Sequence, residues 1–417
     1  MGDSENGMKR GGMAATVRDR AQADTSPIGE KPQDEFRAVF NEDLETILDI
    51  GKWRQGENLG EVYERISREI EQSLKDEARV TETIRKELFS EIRNASDIPD
   101  LAGVYRLPPA RIEDAHKNVL FNGLVEACDG TVASVDTIPI TITQISVCLV
   151  SYSGQQGSWT QRLFQRDFRG SGQNLLDEMY SLLEARKKRA AVDTESGADS
   201  LSMLARRAVM TYAERAILLD HSATPWRMGQ GNPAPYELLI GSGRPEMVRT
   251  SIPVLRRLVD HEKFIFVPST IKDRLLLTLG QSLRPMEYLI YDSAKHNLKK
   301  LTDRGHYRGE GWEDVKEMVD AYIEDCGPKI VIGMYRVARH SPPQVFYAHR
   351  DHVHEAALIA MADSVMQEHR GFPMLLDLAD HACRAVFGID IFMGVTQLAF
   401  SSVGEPFRFM SERSTRS

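Results

Sequence analysis

The 417-residue chain has room for two or three ordinary domains, or for one elaborated domain with a helical appendage. With 52 Lys and Arg against 61 Asp and Glu, its net charge of -9 excludes the overall basic footprint of a simple nucleic-acid binder, so a polyanion must be met by local patches or metal ions. The longest apolar runs, VFGIDIFMGV and ISVCLV, fall short of the roughly 20 residues of a membrane span, and no membrane association is expected.

The opening MGDSENGMKRGGMAA lacks an apolar signal core, and Asn6 stands where a myristoylation motif starting at Gly2 wants Ser or Thr. Cys128, Cys148, Cys326 and Cys383 lie far apart without a CxxC pair. That spacing argues against zinc ribbons and disulfide frameworks, and the expected compartment is a reducing cytoplasm.

Residues 1–34 are rich in Gly, Ser, Asp, Arg and Pro and are expected to be a disordered tail, since they offer too little apolar surface to offset ordering entropy. Residues 35–118 form a helical N-terminal region in this reading. Within it Leu59, Val62, Ile66, Ile70 and Leu74 recur at three- and four-residue steps, an amphipathic stripe that needs a partner surface. NASDIPDLAGVYRLPPAR is a Pro-punctuated connection.

From residue 119 the pattern is mixed. VLFNGLVEACDG and TQISVCLVSYSG predict two adjacent antiparallel strands, the first ending at Asp129-Gly130, with a third around GSWTQRLFQR. NLLDEMYSLLEARKKRA and DSLSMLARRAVMTYAERAILLDH predict helices. SATPWRMGQGNPAP is expected to be a Gly/Pro loop, YELLIGSG a strand, SIPVLRRLVDHE a helix and KFIFVPS a strand, together a βαβ unit. MEYLIYD and KIVIGMYRV predict further strands. VHEAALIAMADSVMQEHR, GFPMLLDLADHACRAVFG and a terminal segment predict closing helices.

A meander followed by alternating elements, with acids at strand ends and on a late helix, is the acid layout of an RNase H-like metal site. The expected fold class is α/β: an RNase H-like mixed sheet flanked by helices, with an N-terminal helical extension. Oxygen ligands suit Mg²⁺ or Mn²⁺, and the few cysteines fit.

In the order ACDGT, ARRAVMTYAERAILL, SIPVLRRLVDHEKFIFVPST and GFPMLLDLAD, residues 119–417 resemble the NurA nuclease family. The resemblance implies a manganese-dependent 5′-3′ exonuclease and endonuclease. Such enzymes are usually homodimeric and work on DNA with a HerA-like hexameric ATPase translocase, in end resection for DNA repair or in antiviral defence. Carried over residue by residue, Asp129, Glu214 and Asp380 are the catalytic and metal-ligating acids. The family's second strand ends in Asp-Gly, whereas the matching place here is read as LLIGSG, with Gly241 where the acid belongs. Asp220 is then the preferred fourth ligand, with Glu237 and Asp377 as further candidates. Lys272 could contact the phosphate, and Lys187, Lys188, Arg189, Arg206 and Arg207 form the expected DNA surface.

His349, His352 and His354 in YAHRDHVHEAA are read as a polar loop feeding a helix rather than a zinc site. His381 is expected to face the core or stand behind the ligands. GQGNPAP does not match a phosphate-binding loop. A catalytically reduced scaffold that binds a translocase ring or DNA ends without cutting is the alternative function. A guided, Argonaute-like nuclease is disfavoured because the chain has no room for guide-binding modules.

Overall fold

The computed structural model describes residues 36–409 and 412, apart from 38, 41, 54–58, 139, 167–175, 177–178, 181–199, 272, 304–306 and 308–310. The expected tail at 1–34 therefore lies outside the described residues. So do Lys187, Lys188, Arg189 and Lys272.

The chain divides into two compact units, 1–100 and 101–417. In the first, a short helix α1 (Leu44–Leu48) precedes the 25-residue α2 (Leu59–Thr83), which continues through a π-turn at Ile84–Leu88 into α3 (Phe89–Ala95). The stripe read from the sequence is helical as expected. No residue of α2 is buried.

The second unit begins with strand β1 (Gly103–Arg106) and helix α4 (Pro109–Ala115). The division falls at Asp100/Leu101 rather than 118/119 because β1 pairs with β7 (Glu287–Ser293) and so belongs to the sheet. Strands β2 (Val125–Asp136), β3 (Ile140–Ser151) and β4 (Gly154–Arg166) form the expected antiparallel meander. Long β-branched runs and two tight reversals dictate it. After α5 (Ser200–His221), the short β5 (Trp226–Gln230) returns parallel to β2. Helices α6 (Tyr236–Leu239) and α7 (Pro245–Asp260) lead to β6 (Phe264–Val267), parallel to β5.

Helix α8 (Arg274–Gln281) connects β6 to β7, and α9 (Lys295–Thr302) and α10 (Glu313–Cys326) connect β7 to β8 (Ile330–Arg336). Strand β9 (Gln344–His349) is followed by α11 (Val353–Val365), α12 (Met374–Phe387) and α13 (Ile389–Ser402). The nine strands lie in the order β1-β7-β8-β9-β6-β5-β2-β3-β4. The protein is thus a mixed α/β fold with helices flanking one sheet. Its β4-β3-β2-β5-β6 half has the RNase H-like arrangement, a meander whose first strand pairs in parallel with the strand after the helix. Every residue of β6 is buried, as a strand at the centre of a covered sheet requires.

Two local expectations are corrected. YELLIGSG is not a strand: Pro235 precedes the turn of α6, and positive φ values at Gly241, Ser242 and Gly243 close a 3-10 turn that no strand accommodates. The strand is WRMGQ, inside the expected Gly/Pro loop. Likewise β2 does not end at Asp129-Gly130; it runs unbroken to Asp136, with Asp129 opposite Cys148 on β3.

By length and composition Met374–Ser402 is apolar enough to cross a membrane. Within it, α12 packs against β2 and β3 through the buried Leu375, Leu376, Ala379 and Cys383, whereas α13 leaves Ile389, Ile391, Val395 and Leu398 exposed.

Candidate metal centre

An uncompensated acid inside a β-branched strand is costly, so its surroundings must answer for it. Asp129 is 2 % exposed, and its Oδ1 accepts a hydrogen bond from the N–H of Gly130 at 2.9 Å. Side chains alternate along a strand, so Asp129 and Gly130 face opposite sides of β2. A Cβ built on Gly130 would lie 2.8 Å from Glu214 Oε1, 2.9 Å from Met210 Cγ and 3.1 Å from the Ser146 carbonyl. Glycine is required there by the close approach of α5, and not by a turn. The missing side chain lets Glu214 reach the strand backbone, where its carboxylate also meets the Gly130 N–H.

Glu214 is buried, and Arg215 Nη1 donates to its Oε2 at 3.0 Å. Arg215 is itself 1 % exposed. It also donates to the carbonyls of Thr211, Pro233, Gln230 and Asn232, and its guanidinium lies over the Phe266 ring at 5.1 Å. One cation thereby fixes Glu214 and ties α5 to the chain leaving β5.

Asp380 on α12 enters from the other flank. Arg384, one helical turn on, donates from Nε to Asp380 Oδ1 at 2.8 Å. Asp129, Gly130, Arg206, Arg207, Met210, Gln230, Asp380 and Arg384 line one cavity of about 520 Å³ with neighbouring β2 residues. Burial, then the charge of Glu214, then that of Asp380, push the Asp129 carboxyl well above the usual carboxylate range, against the Gly130 amide and Arg384. Burial raises Glu214 too, opposed by Arg215.

Sequence expectation and geometry agree unevenly. Asp129, Glu214 and Asp380 come together although they lie on three elements. Arg206 and Arg207 stand at the same cavity, Arg206 donating to Ser134 Oγ at 3.2 Å. Asp220 does not join them: it sits at the end of α5 in an exposed ion pair with Arg257, 2.6 Å away. Six residues from Glu214 place it about 240° round the helix and roughly 9 Å along. Glu237 pairs with Arg207 at 2.9 Å and touches the site only through it. Asp377 turns to Arg370 at 2.6 Å. His381 is exposed rather than core-facing.

Sequence reading missed Gln230. It ends β5, precedes Gly231 at φ +86, and occupies the strand-end position assigned to Gly241. A Gln-Gly pair directly before a Pro-rich loop was the available signal. Arg215 and Arg384 were also missed, although each stands next to or one turn from a chosen acid.

The donors suit a hard divalent cation. Asp129 and Asp380 line the cavity with Gln230, Glu214 lies just behind Gly130, and Arg215 and Arg384 are committed to Glu214 and Asp380. Among the described residues Asp129 has only a backbone donor as hydrogen-bond partner. A buried carboxylate so placed fits Mn²⁺ or Mg²⁺.

No family model matches the chain, and no curated protein does. Among solved structures it is similar to the NurA nuclease from Sulfolobus solfataricus, at 10% identity and a TM-score of 0.41 over 82% of this chain and 97% of that one. A NurA structure with manganese is 8% identical, with a TM-score of 0.35 over 66% and 91%. A Ciona intestinalis endonuclease V bound to inosine-containing DNA is 12% identical, with a TM-score of 0.26 over 66% and 93%.

Proposed function

We propose that the protein is a divalent-metal-dependent DNA nuclease whose centre is held by Asp129, Glu214 and Asp380. The observation that carries this reading is that Asp129 of β2 and Asp380 of α12 line one cavity with arginines at its wall, while the buried Glu214 of α5 lies behind Gly130, close enough for its charge to act on Asp129. Bound Mn²⁺ or Mg²⁺ supplies positive charge to a scissile phosphate and a water activated for attack. Glu214 is held in place by Arg215, and Asp380 by Arg384. Arg206 and Arg207 provide the positive charge that meets the DNA backbone. Gln230 offers a neutral oxygen in place of a fourth acid.

That substitution favours one second reading, the scaffold that binds without cutting. Incubating the purified chain with linear single- and double-stranded DNA in Mn²⁺, Mg²⁺ or EDTA decides between them. Cleavage in either metal and none in EDTA is expected. Binding without cleavage in every metal leaves the scaffold.

In this reading the enzyme is a cytoplasmic homodimer supplied with DNA by a HerA-like ATPase. Net charge -9 supports a delivering partner, because affinity for DNA grows with the number of phosphates neutralised. The dimer is supported by an apolar hollow of about 630 Å³ between β3, β4 and α13, rimmed by the exposed Phe164, Ile391 and Val395, with Leu398 exposed on α13. Val395→Glu should convert a two-chain species to one chain in sedimentation, and adding a HerA-like ATPase with ATP should raise duplex cleavage. A wild-type chain that sediments as a monomer, or maximal cleavage without ATPase, removes these parts of the reading.

A further inference from the structure

Far from the acid cavity, the start of β6 meets the end of β9. The two strands pair antiparallel through Ile265↔Ala348 and Phe266↔Tyr347, so continuing the register sets Phe264 opposite His349. The turn before β6 carries Glu262. The 3-10 turn after β9, Arg350–His352, carries Asp351 and His352. Pairing of β5 with β6 puts Val267, at the far end of β6, opposite Gln230. Glu262 and the acid cavity therefore sit at opposite ends of these strands.

The donor atoms of Glu262, His349 and Asp351 all lie within 4.8 Å of one another. His349 Nδ1 is 3.6 Å from Asp351 Oδ2, and His352 Nε2 is 3.6 Å from Glu262 Oε2. Both separations exceed a hydrogen bond. They approach the roughly 3.3 Å between two donors that share a tetrahedral ion with bonds of about 2.0–2.1 Å. The His349 side chain is only 5 % exposed, and its Nδ1 receives just a long 3.3 Å bond from the Asp351 N–H. Asp351 and Glu262 are half exposed or more, so an ion has a way in.

We propose that Glu262, His349, Asp351 and His352 form a second metal site, selective for a borderline ion of the Zn²⁺ class, that clasps the turn before β6 to the corner between β9 and α11. Two imidazoles with two carboxylates suit Zn²⁺ better than the all-oxygen set at Asp129 does. The three-histidine set in the sequence is a different grouping. His354 turns away, its Nδ1 sharing a 2.8 Å hydrogen bond with the Tyr288 hydroxyl and its ring meeting Tyr105 edge-on.

The test uses the full-length chain carrying Asp129→Asn and Asp380→Asn, which silence the acid cavity, stripped with chelator and titrated with Zn²⁺ by calorimetry. One Zn²⁺ per chain is expected, and Co²⁺ in its place should give the visible absorption of a four-coordinate centre. Adding Glu262→Gln or Asp351→Asn should weaken binding by about tenfold or more. Both side chains are exposed, so unchanged circular dichroism should accompany the loss. No Zn²⁺ uptake by the silenced chain, or affinity unchanged in the Glu262→Gln, Asp351→Asn combination, overturns the site. Neither result bears on cleavage at Asp129.

Discussion

On the proposed function, replacing Asp129 by Asn should lower DNA cleavage by about a thousandfold or more while the chain stays folded. Asn keeps the shape and can still accept the Gly130 N–H, but it removes a buried negative charge whose hydrogen-bond donor is that backbone N–H and not a cation. Loss of transition-state charge stabilisation is worth several kcal/mol, which sets that scale. Stability in EDTA moves the other way. The Asp129 pKa is raised in the fold by burial and by Glu214, so the native state holds a proton that the unfolded chain releases. The sign then follows: the metal-free wild type loses stability as pH rises from the ordinary carboxylate range towards the raised value, and Asn does not share that loss. At neutral pH in EDTA the variant should melt above the wild type. Acidification should close the gap. In Mn²⁺ the order should reverse, because only the wild type gains binding energy. A folded Asp129→Asn chain cutting at near wild-type rate would remove Asp129 from the centre, and a lower melting temperature in EDTA would refute the electrostatic account.

Of the candidate acids, Asp129 breaks a pattern by interrupting an apolar β-branched run, whereas Glu214 and Asp380 are picked out by the family resemblance of their segments and not by helical periodicity. Asp220 is the preferred stand-in for the missing strand-end acid because it closes the helix before that place, but helical rotation carries it away from Glu214 to Arg257. Strand β5 was illegible for a different reason. Five residues flanked by Gly and Pro have little local β preference, and WRMGQ becomes a strand only by pairing in parallel with β2 and β6. Gln230 was hidden with it. The need for glycine at 130 was hidden as well, because a Cβ there would meet Glu214, far along the chain, a contact no local pattern contains. The Glu262 and His349 juxtaposition is likewise a product of β6–β9 pairing that no motif contains.

Arg215→Met should be among the most destabilising single changes in the second unit, at about 3–5 kcal/mol, because it leaves the buried Glu214 without its cation. Met approximates the volume, so the loss is chiefly electrostatic. Carbonyls of Thr211, Pro233, Gln230 and Asn232 lose their donor in the same step, freeing the end of β5 at Gln230 and the loop that follows it. Thermal melting in EDTA should fall by roughly 10 °C on that energy. Cleavage should fall as well, since Glu214 must then either take a proton or swing out to solvent. Adding Glu214→Gln to Arg215→Met separates the two effects. The double variant no longer buries an unpaired charge, so it should regain a substantial part of the lost stability and none of the activity. If Arg215→Met melts within about 1 °C of wild type, or if Glu214→Gln restores no stability to it, the pair is not the electrostatic anchor of α5 and the position of Glu214 must be set by the packing over Gly130 alone.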